Sequence, residues 1–190
     1  MVDESSGGFF GIIDNSRRIG RYVWAESRLH DVLADWVTVS PEPQVAALFG
    51  RHVHLHAWHA KLWRKRLPVL WDRDTTAFVG PADTGVSRLF DELAALRDPA
   101  MSLERVVAHY KVVVPHLLAA YGEHLEMTDP LTDSPTVRTL QFVIDDGTAC
   151  WNDGDELLRS MVGSAREGER GADAARHFEE LVAAAGGLAD

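Results

Sequence analysis

The sequence predicts an all-α fold, and three observations carry that prediction. Apolar residues recur at helical spacing in several long runs, serine–proline pairs stand ahead of two of them, and the period-two alternation of strands is sparse. The chain has 190 residues, 46% hydrophobic and 25% charged, which suits a substantial core and excludes a disordered composition.

Residues 17–37 place Ile19, Tyr22, Val23, Leu29, Leu33 and Val37 on one stripe, which predicts a first helix. Ser40-Pro41 supplies a cap and a first-turn proline for a second helix over 45–67, ended by Pro68. Turn residues dominate 69–85, and a shorter helix over 86–97 stops before Pro99. A third long helix spans 102–125, with a kink expected at Pro115. Ser134-Pro135 opens a fourth helix reaching about Trp151, with Gly147 as its weak point. Two further helical pieces, 155–165 and 173–185, flank a polar stretch at 166–171.

The spacing of these elements predicts a bundle. Few residues join helices one and two, or three and four, so each pair should be an antiparallel hairpin. More than thirty residues separate helices two and three, enough for a crossover along the length of the bundle. The expected organisation is one domain over 1–190, its bundle core at about 17–151 and a helical extension at 152–190.

A formal net charge of −10 argues against nucleic acid or anionic lipid as partner. The basic cluster of Lys61 and Arg64-Lys65-Arg66 falls where helix two ends, where positive charge complements the helix dipole. The single Cys150 excludes an intramolecular disulfide and an all-cysteine metal site. The start Met1-Val2-Asp3-Glu4 has no basic region, and no run approaches the length of a membrane span, so a cytoplasmic protein is expected.

Glu26 and His30 fall in the middle of the helix-one stripe. On helix two, His52, His56 and His59 lie within the stripe of Val45, Leu48, Phe49, Val53, Leu55, Leu62 and Trp63, while His54 points away. A carboxylate on an apolar face costs several kcal/mol unless it is paired, neutralised or bound to metal. Imidazole and carboxylate together suit iron, manganese or zinc, and two histidines with one carboxylate leave coordination positions open. A buried polar network without metal is the alternative reading. Helix three adds Tyr110, Tyr121 and His124 on its stripe, with His109 and His116 on the flank. Helix four adds Val137, Leu140, Ile144 and Trp151, with Gln141 and Thr148 between them and Asp145 at the edge.

With Glu26 on helix one and His56-Ala57-Trp58-His59 about thirty residues later, the chain resembles the ferritin-like di-iron carboxylate superfamily over roughly 17–151. Those proteins place a Glu on helix one, Glu-x-x-His on helix two, a Glu on helix three and Glu-x-x-His on helix four. Here histidine replaces the glutamate of helix two, helix three offers no central acid, and Asp145-Asp146-Gly147-Thr148 stands where the last motif would be. The resemblance implies a ferritin-like bundle and a histidine-rich site for at most one tightly held metal: Glu26, His56 and His59, with His52 or His30 as a further ligand. Tyr110, His116, Gln141, Asp145 and Thr148 are expected around it as pocket or supporting residues. Two functions follow. One is a non-haem-iron-like oxidative enzyme acting on a small organic molecule. The other is a metal-free ferritin-like ligand binder or partner subunit. Trp24 and Trp58, which project off the apolar faces, point to a homodimer interface or to cover by the terminal helices.

Overall fold

In the computed structural model, which describes residues 9–72 and 74–188, all regular structure is helical. Residues 1–4 lie outside the described residues. Helix α1 spans Ile12–Val39, α2 Pro43–Arg64 and α3 Thr84–Ala95. Helix α4 (Ser102–Val107), a π-helical turn (Ala108–Val113) and α5 (Val114–Glu126) run on as one rod. Helix α6 spans Ser134–Met161 and α7 Ala165–Ala184.

Cross-helix contacts set the directions. Glu26 meets His59 while His30 meets Val53, so α1 and α2 are antiparallel. Arg18 reaches Glu123 and Tyr22 reaches Ala120, which sets the rod antiparallel to α1. Arg51 pairs with Asp153 and Arg66 with Thr136, so α6 is antiparallel to α2. The rod and α2 therefore run the same way, and the chain between them must travel back along the bundle. It does so over α1: the 3-10 turn Thr75–Phe78 lies on Gly20, where a Cβ would come within 2.3 Å of the Phe78 carbonyl oxygen. Trp24 of α1 meets Phe90 of α3 edge-on at 4.9 Å between ring centroids. The crossover helix, rather than a terminal helix, thus covers Trp24. The fully buried Arg105 ties down the end of the crossover by donating to the Leu96 and Asp98 carbonyls at 3.1 and 2.8 Å. One core of Tyr22, Trp36, Phe49, Trp63, Phe90, Tyr110 and the aliphatic side chains around them fills the interior.

Several boundaries differ from the sequence reading, each for a local reason. Ser40 closes α1 instead of opening α2: its amide and hydroxyl both donate to the Trp36 carbonyl, and α2 starts at Pro43 after Glu42. No break marks Pro115. Its ring would crowd the carbonyl of Lys111, four residues back, and that carbonyl sits in the wider π turn, which absorbs the strain. Helix α6 runs unbroken through Gly147 and Gly154 to Met161. Gly154 is where Tyr110 packs, since a Cβ there would lie 2.1 Å from the Tyr110 ring. The polar stretch at 166–171 is also helical, because Ser164 caps the Glu167 amide and Arg170 bonds Glu104 on the rod.

No helix among the described residues is long and apolar enough to cross a membrane.

Candidate metal centre

Burial selects the inward faces. On α1 the sequence places Glu26 one turn from Tyr22 and Leu29, and all three are at most 1% exposed. On α2 the spacing of His52, His56 and His59 buries all three rings at 3–4% exposure. Glu26 stands between them. Its Oε2 accepts from His56 Nδ1 at 2.6 Å, and its Oε1 accepts from His59 Nδ1 at 3.2 Å and from the Tyr121 hydroxyl at 2.5 Å. The outer nitrogens are engaged as well. His59 Nε2 donates to Asp146 Oδ2 at 3.1 Å, and His56 Nε2 lies 3.4 Å from His109 Nε2.

Proton positions follow from this pattern. His59 donates at both nitrogens, which makes it an imidazolium between two carboxylates. Burial pushes its pKa down, but the charge and hydrogen bond of Glu26, with the help of Asp146, outweigh burial and raise it above 6.5. Burial alone would raise the Glu26 carboxyl. The positive charge of His59 and the hydrogen bonds from His56 and His59 prevail and hold it well below the usual carboxylate range. If His56 donates to Glu26, its Nε2 accepts from His109. The Nδ1 of the fully buried His109 then has no partner, and burial, with His56 and His52 beside it, keeps that ring well below the ordinary histidine range. Burial and the Glu26 charge together push the Tyr121 phenol well above 10, so it remains a donor.

One Glu oxygen and one nitrogen from each of His56 and His59 lie within 4.8 Å of one another, the only such buried group among the described residues. A carboxylate and two imidazoles form a donor set that iron, manganese and zinc accept. Beside them is a cavity of about 20 Å³, walled by apolar surface from Val114, Leu117, Leu118, Val143, Gly147 and Cys150.

The other expected residues are placed elsewhere. His30 Nδ1 bonds the Val53 carbonyl at 3.1 Å, joining α1 to α2 away from Glu26. His52 bonds the Tyr110 hydroxyl at 2.8 Å, and its Nε2 lies 3.4 Å from Asp153, so it belongs to a neighbouring network. Tyr110 is wholly buried there and is not part of the wall of the cavity beside Glu26. His116 is turned outward to Glu179 of α7 at 2.8 Å. Gln141, Asp145 and Thr148 are exposed, Thr148 bonding its own helix at the Ile144 carbonyl. The physical reason is rotational phase. Helix α6 buries Thr136, Thr139, Leu140, Val143, Cys150, Gly154 and Leu158, whereas a stripe drawn through Ile144 and Trp151 is turned by one residue. Asp146, not Asp145, therefore reaches the site. The small residues Thr139 and Gly154 at helical spacing were the signal for the true phase. Nothing local announced the π turn that buries both His109 and Tyr110. Trp58 remains 47% exposed beside Lys61.

The buried histidines outside the site make stability acid-sensitive. Burial lowers His52 and His124 from 6.5 to about 4, opposed at His52 by Asp153 and reinforced at His124 by Arg18. Between those values the unfolded chain binds protons that the native one does not, so stability falls as pH drops from 6.5 to about 4. His59 acts oppositely: its contribution is complete below 6.5 and is lost as pH rises through its raised value. Urea unfolding should therefore weaken from pH 6.5 to 4.5, and His124→Gln should flatten the slope. A flat wild-type profile would contradict the burial of both rings.

No family model, curated protein or solved structure matches this chain.

Proposed function

We propose that this chain is a ferritin-like metalloprotein. Glu26, His56 and His59 hold one divalent transition metal, iron first and manganese or zinc next, for oxidative chemistry on a small molecule. The observation that carries the proposal is the convergence of one carboxylate and two imidazoles, all at most 4% exposed, with ligand atoms within 4.8 Å of one another. The crossover between two helix pairs supports the ferritin-like reading of the bundle. Two histidines and one carboxylate resemble the facial ligand sets of non-haem iron oxygenases, in which the metal supplies Lewis acidity and open positions for dioxygen.

The surrounding residues have definite tasks. Glu26 brings the negative charge, and Tyr121 fixes one of its oxygens. Asp146 would keep the His59 Nε2 protonated, so that the proton a metal displaces is the one on Nδ1, as carboxylate partners of ligating histidines do. His109 faces the corresponding nitrogen of His56. The apolar wall keeps bulk water away.

A single metal follows from the acid count. Bridging two cations needs negative oxygens between them, and Asp146, turned to the outer nitrogen of His59, is not placed between the ligands. Asp146→Asn should weaken metal binding by about 10–100-fold, while Asp145→Ala, altering an exposed side chain, should leave it unchanged. Equal effects of the two variants would refute the role assigned to Asp146.

One observation favours a metal-free ligand binder instead: both Glu26 oxygens are already satisfied by protein donors. Elemental analysis after gentle purification, followed by titration of stripped protein with Fe(II), Mn(II) and Zn(II), separates the two readings. Absence of uptake favours the second.

A further inference from the structure

The cavity beside Glu26, His56 and His59 has a size and a chemistry that select its occupant. At about 20 Å³ it has room for one very small molecule, and the surface turned toward it is apolar, although Glu26, His56, His59 and Tyr121 are among the residues around it. The polar residues in that wall do not soften it. The Glu26 oxygens accept from His56, His59 and Tyr121, and the His59 nitrogens are committed to Glu26 and Asp146. The Cys150 thiol, raised by burial to about 12, stays neutral. A buried water needs two to four polar partners, and no polar atom presents surface to this cavity, so it is expected to be dry.

The wall has one softer side. Val114, Leu117, Val143 and Cys150 are buried, whereas Leu118 and Gly147 are only half-buried. These two residues meet across the rod and α6: a Cβ at Gly147 would lie 2.9 Å from Leu118 Cδ2. Glycine at this position thus gives the Leu118 side chain its room, and Leu118 closes the cavity toward solvent.

We propose that this cavity is a chamber for dioxygen, an uncharged apolar diatomic, with Leu118 as its gate and Gly147 as the residue that lets the gate move. An organic substrate does not fit inside it and must react from elsewhere. The chamber stands independently of any ion; only its use as a reactant store rests on the metal proposal.

Dioxygen is paramagnetic, so the test can use the gas itself on metal-free, full-length protein. Under dioxygen pressure, methyl protons of Leu117, Val143 and Val114 should relax faster than those of equally buried methyls elsewhere, such as Leu89 and Leu93. Xenon, an apolar probe, should occupy the same place and compete. Gly147→Ala narrows the mouth, and Val143→Ile fills the chamber from its inner side, so each should reduce the enhancement. Val143→Ala should increase it, which keeps the test decisive if one filling variant folds poorly. No selective enhancement in the wild type, or an ordered water found there, would overturn the proposal, as would azide competing with the gas. Metal titration is a separate measurement, so a protein that binds gas but no metal would keep the chamber and lose only the metal reading.

Discussion

Stripped protein titrated with Fe(II), Mn(II) or Zn(II) should take up one equivalent, and His56→Ala or His59→Ala should abolish that uptake while helicity is retained. The expected loss exceeds the roughly 10–100-fold that follows removal of an outer partner of a ligand, because each substitution deletes one of the three proposed ligands. Helicity should survive because alanine is a strong helix former and Val45, Leu48, Phe49 and Trp63 on the same face of α2 stay in place to anchor it. Binding should also release protons, since in the metal-free protein both Nδ1 atoms donate to Glu26 and a metal ligand cannot carry that proton. Proton release can be read in the buffer dependence of the calorimetric heat. Wild-type protein that takes up none of the three ions would refute the metal centre, whatever the variants do.

The second large effect concerns Glu26 itself. Metal-free Glu26→Ala should be less stable than wild type by about 3–5 kcal/mol at neutral pH, as when one partner of a buried ion pair is removed. The substitution leaves His56, His59 and Tyr121 each with a buried donor aimed at nothing. Glu26→Gln keeps an acceptor and most of the volume, so its cost should be smaller. Urea unfolding measures both. A loss below about 1 kcal/mol for the alanine variant would be the behaviour of an exposed ion pair and incompatible with a carboxylate 1% exposed.

The candidate site was half legible in the sequence, and the division has a physical basis. Glu26, His56 and His59 could be read because each lies on a long helix whose apolar stripe is dense, so the direction of every side chain follows from the 3.6-residue period. The same period failed on α6. There the buried face is made largely of Thr136, Thr139, Cys150 and Gly154, residues that carry little hydrophobic signal, while Trp151 and Phe142 are large and apolar yet exposed. A stripe drawn through the large apolar residues therefore points to Asp145, whereas the buried face turns Asp146 to His59. The spacing places His52 on the buried face, but its partners, Tyr110 and Asp153, come from the tertiary structure, because periodicity gives a direction and not a partner.

By itself the sequence determined the helical class, the four long segments and the two hairpins that frame a long crossover, along with the inward direction of Glu26, His56 and His59. These are local or nearest-neighbour properties, set by apolar spacing, prolines and connection lengths. Only the tertiary structure decided that Tyr121 and Asp146 hold the site, that His109 enters through a π turn, that His30 and His116 are elsewhere, and that the adjoining cavity is small and apolar. Those features depend on the rotation of the rod and α6 about their own axes. That rotation is settled by close approaches such as Tyr110 on Gly154 and Leu118 on Gly147, contacts between residues far apart in the chain that no local pattern encodes.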